Sequence, residues 1–187
     1  DALLGHVADP NVENKYGKTP LHLASQSADP EVVSALLNED ADPNCTSLED
    51  DSEFSDGGGE NTPLHLAAEE GNDGIVRALL EAGANLSARN AKGKYPIHKA
   101  AEEGWSDVVE LLLDEGAEAD ARDDVGKTPL HEAASAREQG GFGQDENDPQ
   151  GTLQALIEAG ADADARQTHE APNQLSGPEG KENTPLH

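Results

Sequence analysis

Histidine recurs along this 187-residue chain, and a row of imidazoles is the kind of feature that could bind zinc. Five of the histidines each follow a Pro–Leu or Pro–Ile pair: His22, His65, His98, His131 and His187. Zinc needs about four ligands that converge at roughly 2 Å. If each histidine sits on its own helix, neighbours lie about 10 Å apart and cannot converge on one ion. We therefore expect a structural role for these histidines, and neither a metal site nor a cofactor.

Two other segments could carry chemistry. Residues 140–145 (Gly-Gly-Phe-Gly-Gln-Asp) match the start of a calcium-binding nonapeptide, which works in tandem rows. Only one copy is present, so the segment favours a flexible glycine-rich loop. The single cysteine, Cys45, has no histidine near it in sequence. Because no nucleophile elbow, phosphate loop or paired catalytic constellation is present either, we expect no enzyme activity.

The charge balance restricts the class of partner. Asp and Glu number 39 against 12 Lys and Arg, so the net charge is −27. Such an excess repels nucleic acids and anionic membrane surfaces, so we expect neither as a ligand. It suits a partner protein with a basic surface, or life at high salt, where screening weakens self-repulsion. No apolar run is long enough to span a membrane, and one cysteine fits a reducing cytosol, so we expect a cytoplasmic protein.

The elements that would position these residues follow from an internal repeat. A pattern of Thr or Tyr, Pro, Leu or Ile, and His starts at residues 19, 62, 95, 128 and 184. The two middle spacings are 33 residues, which sets the basic period, whereas the first (43) and the last (56) contain additional residues.

Each period predicts two short helices. Thr is a favoured N-cap, and the proline after it suits the first helical position. A second apolar run follows at the spacing of one helical face, as in Val32, Val33, Leu36 and Leu37. We expect left-handed residues after the second helices, at Asp40, Gly83, Gly116 and Gly160.

With its Thr-Pro-Leu-His starts, paired alanines, Leu-Leu runs and 33-residue period, the chain resembles the ankyrin-repeat family. The resemblance covers nearly the whole chain. It implies an all-α ankyrin-repeat solenoid of stacked helix-turn-helix units with short β-hairpin fingers. It also implies that the chain binds another protein on a concave face formed by the fingers and the first helices.

The repeat divides the chain, which we interpret as a single ankyrin-repeat domain over residues 1–187. We expect a partial repeat at 1–13, repeats at about 14–45, 57–89, 90–122 and 123–166, and a partial repeat at 182–187. Insertions are expected at about 46–60, 137–147 and 167–183. They are either tolerated additions or functional loops, because loop-closure cost grows slowly with length.

Family position predicts which residues contact the partner. They are Lys15, Tyr16, Lys18, Glu69, Glu70, Lys92, Lys94, Glu102, Glu103, Trp105 and Lys127. Trp105, the only tryptophan, could equally pack between adjacent helix pairs. We expect a monomeric protein-interaction scaffold. Two alternatives stay open: a non-catalytic regulatory segment of a larger enzyme or channel, and a salt-adapted repeat protein whose acidity has no partner role.

Overall fold

The computed structural model describes residues 8–27, 29–48, 59–138 and 147–165. These residues form eight α-helices: α1 (Pro20–Ser25), α2 (Pro30–Asn38), α3 (Pro63–Glu70), α4 (Asp73–Glu81), α5 (Pro96–Glu103), α6 (Ser106–Asp114), α7 (Pro129–Glu138) and α8 (Pro149–Glu158). Each odd-numbered helix packs against the next even-numbered one, giving four helix pairs that we call units 1 to 4. The predicted all-α repeat fold is confirmed. None of these helices is long and apolar enough to cross a membrane.

The first helix of each unit begins at the predicted proline. Thr19 and Thr62 stand before it in extended backbone, and Tyr95 takes this place in unit 3. Proline is tolerated there because the first amides of a helix have no partner within the helix. The first helices of units 2 and 3 end at Gly71 and Gly104, whose φ angles of 76° and 80° are left-handed. These residues reverse the chain into the second helices.

Capping side chains fix the starts of three second helices. Asp29, Asn72 and Asp148 each accept a hydrogen bond from a backbone N–H in the first turn of α2, α4 and α8. The left-handed positions predicted after the second helices are confirmed by φ angles of 62°, 85°, 97° and 92° at Asp40, Gly83, Gly116 and Gly160.

The units stack in one direction. First helices pack in the order α1, α3, α5, α7, and second helices in the order α2, α4, α6, α8. The core is built from large apolar side chains of the helices, including Leu21, Leu64, Ile97, Leu79, Leu112 and Leu156. The paired alanines of α3 and α5 are fully buried, which allows close approach of neighbouring first helices. Each unit thus buries its apolar face against its neighbours, as in other repeat arrays.

A turn precedes each first helix, and we call these turns fingers 1 to 4. They comprise residues 14–18, 47–61, 90–94 and 123–127, in this order. Asn90 organises finger 3, because its side-chain oxygen accepts from the backbone N–H groups of Lys92 and Lys94. Asn14 and Asp123 do the same in fingers 1 and 4. Within the described residues the fingers contain no regular β-strand, so the expected β-hairpins are not seen there. Backbone bonds also close these fingers, as between the N–H of Asn90 and the carbonyl of Lys94 at 3.0 Å.

Backbone hydrogen bonds join successive fingertips and show where finger 2 is interrupted. Leu48 N–H donates to the carbonyl of Tyr16 at 2.9 Å, and Ala91 N–H donates to that of Gly59 at 2.9 Å. In finger 3 the two neighbouring tip positions are held by Ala91 and Lys92. In finger 2, Leu48 therefore takes the place of Ala91, and Gly59 takes the place of Lys92. In the sequence, ten residues separate Leu48 from Gly59.

Candidate functional site

Histidines of the repeat motif connect one unit to the next. Nδ1 of His65 accepts a hydrogen bond from the backbone N–H of Thr62 at 3.2 Å. Nε2 of His65 lies 3.0 Å from the carbonyl oxygen of Lys94, in the following finger. A backbone N–H can only donate and a carbonyl can only accept, so Nδ1 is unprotonated and Nε2 carries the proton. Both ring nitrogens are thereby engaged in structural bonds.

His22 and His98 make the same bridge, to the carbonyl oxygens of Asn61 at 3.0 Å and Lys127 at 3.1 Å. Burial lowers the pKa of all three imidazoles, and the bonds to the carbonyls only partly oppose it. For His65 the pKa falls to about 4. The neutral ring is therefore the stable form, which suits a bridge between units.

A chain of alternating charges crosses units 2 to 4. We call it the charge ladder, and its members in order are Glu69, Lys99, Glu102, Lys94, Glu132 and Lys127. Successive nitrogen–oxygen distances are 2.9, 3.7, 2.8, 3.1 and 3.3 Å. Three carboxylates face three ammonium groups, so the ladder carries no net charge.

The centre of the ladder is buried, with Lys99 and Glu132 only 1% and 3% exposed. Burial by itself lowers the pKa of Lys94, but its bond to Glu102 and the charges of Glu102 and Glu132 outweigh this, so the pKa is raised. Oε1 of Glu132 is 3.1 Å from Nζ of Lys94, close enough for an ion pair although no hydrogen bond to this oxygen is formed. The ladder thus favours the charged form of Lys94 inside the stack.

Four of the residues predicted to contact a partner belong to this ladder: Glu69, Lys94, Glu102 and Lys127. Lys94 is buried, and the other three are partly buried. These side chains are held by one another, so they offer a partner less charge than the sequence suggests.

Glu70 and Glu103 differ from this group. They are exposed, occupy equivalent positions at the ends of α3 and α5, and form no ion pair with any described residue. Partial burial raises the pKa of Glu70, with a further contribution from Glu69. Partial burial, followed by the charges of Glu102, Glu69 and Glu70, raises the pKa of Glu103. Both carboxylates have thus lost some hydration without gaining a counter-ion.

Family position places the predicted fingertip residues on the same face as these helix ends, and this shared face stays a prediction. Lys15 is exposed, with its ammonium 4.4 Å from the centre of the half-buried Tyr16 ring, while Lys18 is half-buried and Lys92 is exposed. Exposed apolar side chains also stand at the tips of fingers 2 and 4, at Leu48 (61%) and Val125 (47%). We call the fingertips and the ends of the first helices the finger–helix face.

Trp105 lies at the junction of units 2 and 3. Its indole N–H donates to the carbonyl of Glu69 at 2.8 Å, and its ring covers Gly71, where an added Cβ would come within 2.3 Å of the ring. The tryptophan is half-buried, so it has a packing role here; its contact with a partner stays a prediction.

Folding brings Cys45 close to a histidine, which its sequence neighbours gave no reason to expect. Its Sγ lies 3.6 Å from Nδ1 of His22, 3.4 Å from Oγ1 of Thr19 and 3.0 Å from the carbonyl of Asp42. Burial raises the pKa of the Cys45 thiol and lowers that of His22. An activated nucleophile needs the opposite shifts, so this pair is not a thiolate–imidazolium pair.

Sequence reasoning missed Lys99 and Glu132, the two buried members of the ladder. The available signal was the repeat itself, because Leu23, Leu66, Lys99 and Glu132 occupy one position of the four first helices. A charge at a position that is apolar elsewhere in the repeat indicates either exposure or a buried ion pair. In the described residues, no group of three or more His, Cys, Asp or Glu side chains is placed to hold a metal ion.

Comparison with known protein families gives one match. A family model described as ankyrin repeats (3 copies) matches residues 1–90 and, in a second overlapping match, residues 64–167. No curated protein sequence matches the chain.

Proposed function

Because the chain belongs to the ankyrin-repeat family, we propose that it is an interaction scaffold that holds another protein on its finger–helix face. Ankyrin repeats are in general protein–protein interaction modules and are typically non-catalytic. Beyond this general role, the proposal states which face of the chain binds, what chemistry the partner's surface has, and that the chain is a monomer. It is supported by the contacts of the residues predicted from family position.

The bonds inside the stack favour a binding surface that is already formed before the partner binds. The His65 bridge, the ladder pair of Lys99 with Glu69, and the packing of Trp105 all join units 2 and 3. A surface built on joined units loses little conformational freedom when a partner binds, which leaves more of the contact energy for affinity.

The observation that carries the proposal is the pair of unpaired carboxylates, Glu70 and Glu103. Both have raised pKa values because burial and neighbouring carboxylates disfavour their negative charge. A lysine or arginine of a partner would restore the counter-ion that the chain itself does not provide. The neighbouring Glu69 and Glu102 are paired with lysines of the ladder, whereas Glu70 and Glu103 form no ion pair with a described residue. We therefore propose a partner with a basic surface.

The reactive side chains of the described residues are not arranged in a way that favours catalysis. The described part holds no candidate metal cluster, and Cys45 has a raised pKa in a structural bond network. We propose that the chain binds and does not transform its partner. Binding through charge would also select partners by electrostatic complementarity.

Charge reversal tests the proposal. The unchanged chain, a Glu70→Lys/Glu103→Lys variant and a Glu81→Lys/Glu110→Lys variant would be used as baits in a lysate of the native organism. Glu81 and Glu110 are exposed on the second helices, so the third bait has the same charge change on another face. A protein retained by the first and third baits, lost from the second, and released by added salt supports the proposal. Equal capture of the same proteins by all three contradicts it.

A further inference from the structure

The charge ladder passes through a position that the other units fill with leucine. In the first helices this position holds Leu23, Leu66, Lys99 and Glu132. The last three are buried, whereas Leu23 in unit 1 is 53% exposed. Lys99 reaches back to Glu69 of unit 2 and Glu132 reaches back to Lys94 of unit 3, so the position faces the preceding unit.

Lys99 has its nearest partner in the preceding unit. The place of Glu69 is taken in unit 1 by Gln26 and in unit 4 by Ser135. Lys99 stacked against either unit would therefore lose the carboxylate that lies 2.9 Å away in the native order. It would keep only Glu102 of its own helix, 3.7 Å away, which is a poorer counter-ion for a buried ammonium.

The same comparison holds for unit 4. The place of Lys94 is taken in unit 2 by Asn61, and the place of Glu102 by Glu69. If unit 4 stacked directly on unit 2, Glu132 would meet Asn61 and another carboxylate in place of an ammonium at 3.1 Å. Units 1 and 4 carry Lys18 and Lys127 at the place of Lys94, so Glu132 distinguishes unit 3 from unit 2 alone.

Several other bonds between units do not distinguish one neighbour from another. The histidine bridge from His22, His65 and His98 ends on a backbone carbonyl, which every unit provides. Fingertip bonds also join backbone groups. Near-identical units can stack out of order, and misassembly is a characteristic failure of repeat proteins.

We propose that Lys99 and Glu132 form a charge code that disfavours stacking in which unit 2 or unit 3 is skipped, within one chain or between two copies. A single buried polar residue fixes register in coiled coils by the same physical means. The code discriminates because skipping a unit removes the nearest opposite charge and leaves each buried group only the partner in its own unit.

The test is refolding of a Lys99→Leu/Glu132→Leu variant, which makes all four units alike at this position. The unchanged chain and the variant would be unfolded in urea and refolded over a range of concentrations up to about 100 μM. Size-exclusion chromatography with light scattering would measure the monomer fraction, and Trp105 fluorescence would report the junction of units 2 and 3. We expect the variant to unfold at the same or a higher urea concentration, yet to form at least about threefold more oligomer on refolding.

An ion pair that serves stability alone predicts a different result. The variant would then be less stable and would refold to monomer in the same proportion as the unchanged chain, which would overturn the proposal. Should the double variant fail to fold, Lys99→Leu alone removes the code at one junction and keeps Glu132 with both lysines. We expect an intermediate rise in oligomer from it, and no rise at any concentration would again overturn the proposal.

Discussion

The ammonium of Lys99 lies 2.9 Å from Oε1 of Glu69 across the junction of units 2 and 3, with the lysine side chain only 2% exposed. An ion pair at this depth is little screened by solvent, and its loss leaves both a cavity and an unpaired acid. Removing one partner is therefore expected to destabilise the stack more than breaking an ion pair at the surface.

Lys99→Ala is expected to lower the free energy of unfolding by about 2–3 kcal/mol, because it removes the buried stem and the partner of Glu69. Arg77→Ala is the control, since Arg77 forms an exposed pair with Asp73 at 3.8 Å. Its loss is expected to cost at most about 0.5 kcal/mol. Urea unfolding at pH 7.5 measures both. Equal costs for the two substitutions would show that the buried pair contributes no more than a surface pair.

His65 predicts a loss of stability in mild acid. Its folded pKa of about 4 lies below the ordinary 6.5, so the unfolded chain binds the proton more readily. The stability that comes from the neutral His65 ring is fully present above pH 6.5 and is lost as the pH falls toward 4. Between pH 7.5 and 5 it amounts to about 2 kcal/mol.

The measurement is urea unfolding at both pH values, for the unchanged chain and for His65→Gln. Glutamine keeps an N–H donor near the carbonyl of Lys94 but does not titrate in this range. The carboxylates contribute equally to both proteins, so the difference isolates the imidazole. We expect the glutamine variant to lose about 2 kcal/mol less on acidification. The same loss in both proteins would disprove the assignment.

Gly71 is expected to be more sensitive to substitution than Gly83, although both have left-handed backbone, with φ angles of 76° and 85°. A Cβ at Gly71 would meet the Trp105 ring at 2.3 Å, whereas nothing lies within 4 Å of one at Gly83. Gly83→Ala should cost about 1 kcal/mol for its backbone alone. Gly71→Ala should cost about 1–3 kcal/mol more and shift the Trp105 fluorescence, because the ring must move. Urea unfolding followed by fluorescence checks both, and equal costs would mean that Trp105 does not press on Gly71.

Deleting residues 49–58 is expected to leave the stack intact. The deletion joins Leu48 to Gly59, which stand at tip positions that are consecutive in the other fingers. Loop-closure cost falls slightly, and five carboxylates are removed from a chain of net charge −27. We expect the free energy of unfolding to rise by up to about 1 kcal/mol. Thermal melting followed by circular dichroism measures this, and loss of the cooperative transition would show that the segment is needed for folding.

Glu60 offers a separate test of finger 2. Its φ angle of 63° matches the 67° of Gly17 at the equivalent place in finger 1. Left-handed backbone is strained for a residue with a Cβ, so Glu60→Gly should stabilise the chain by up to about 1 kcal/mol. Lower stability in the melting experiment would contradict the register that we assign to this finger.

The helices were predictable from the sequence because their signals are local. A Thr-Pro pair such as Thr19 and Pro20 indicates a helix start by its local preferences. Gly83 indicates a helix end because glycine readily adopts left-handed backbone. The burial of Lys99 was not predictable from its neighbours in sequence, since it depends on Glu69 in a different unit. The approach of Cys45 to His22 likewise depends on folding, which brings the segment after α2 against α1 of the same unit. The expected insertions at about 137–147 and 167–183 lie mostly outside the described residues.

The most direct test of the proposed binding face is site-specific photo-crosslinking. A benzophenone amino acid would replace Glu103 on the finger–helix face or, as the control, Glu110 on α6, and each protein would be irradiated in a native lysate. The account predicts a crosslinked protein from position 103 that is absent from position 110 and disappears when Glu70 is also changed to Lys. Crosslinking from position 110 but not from position 103 would contradict it, because the partner would then lie on the second-helix side of the stack.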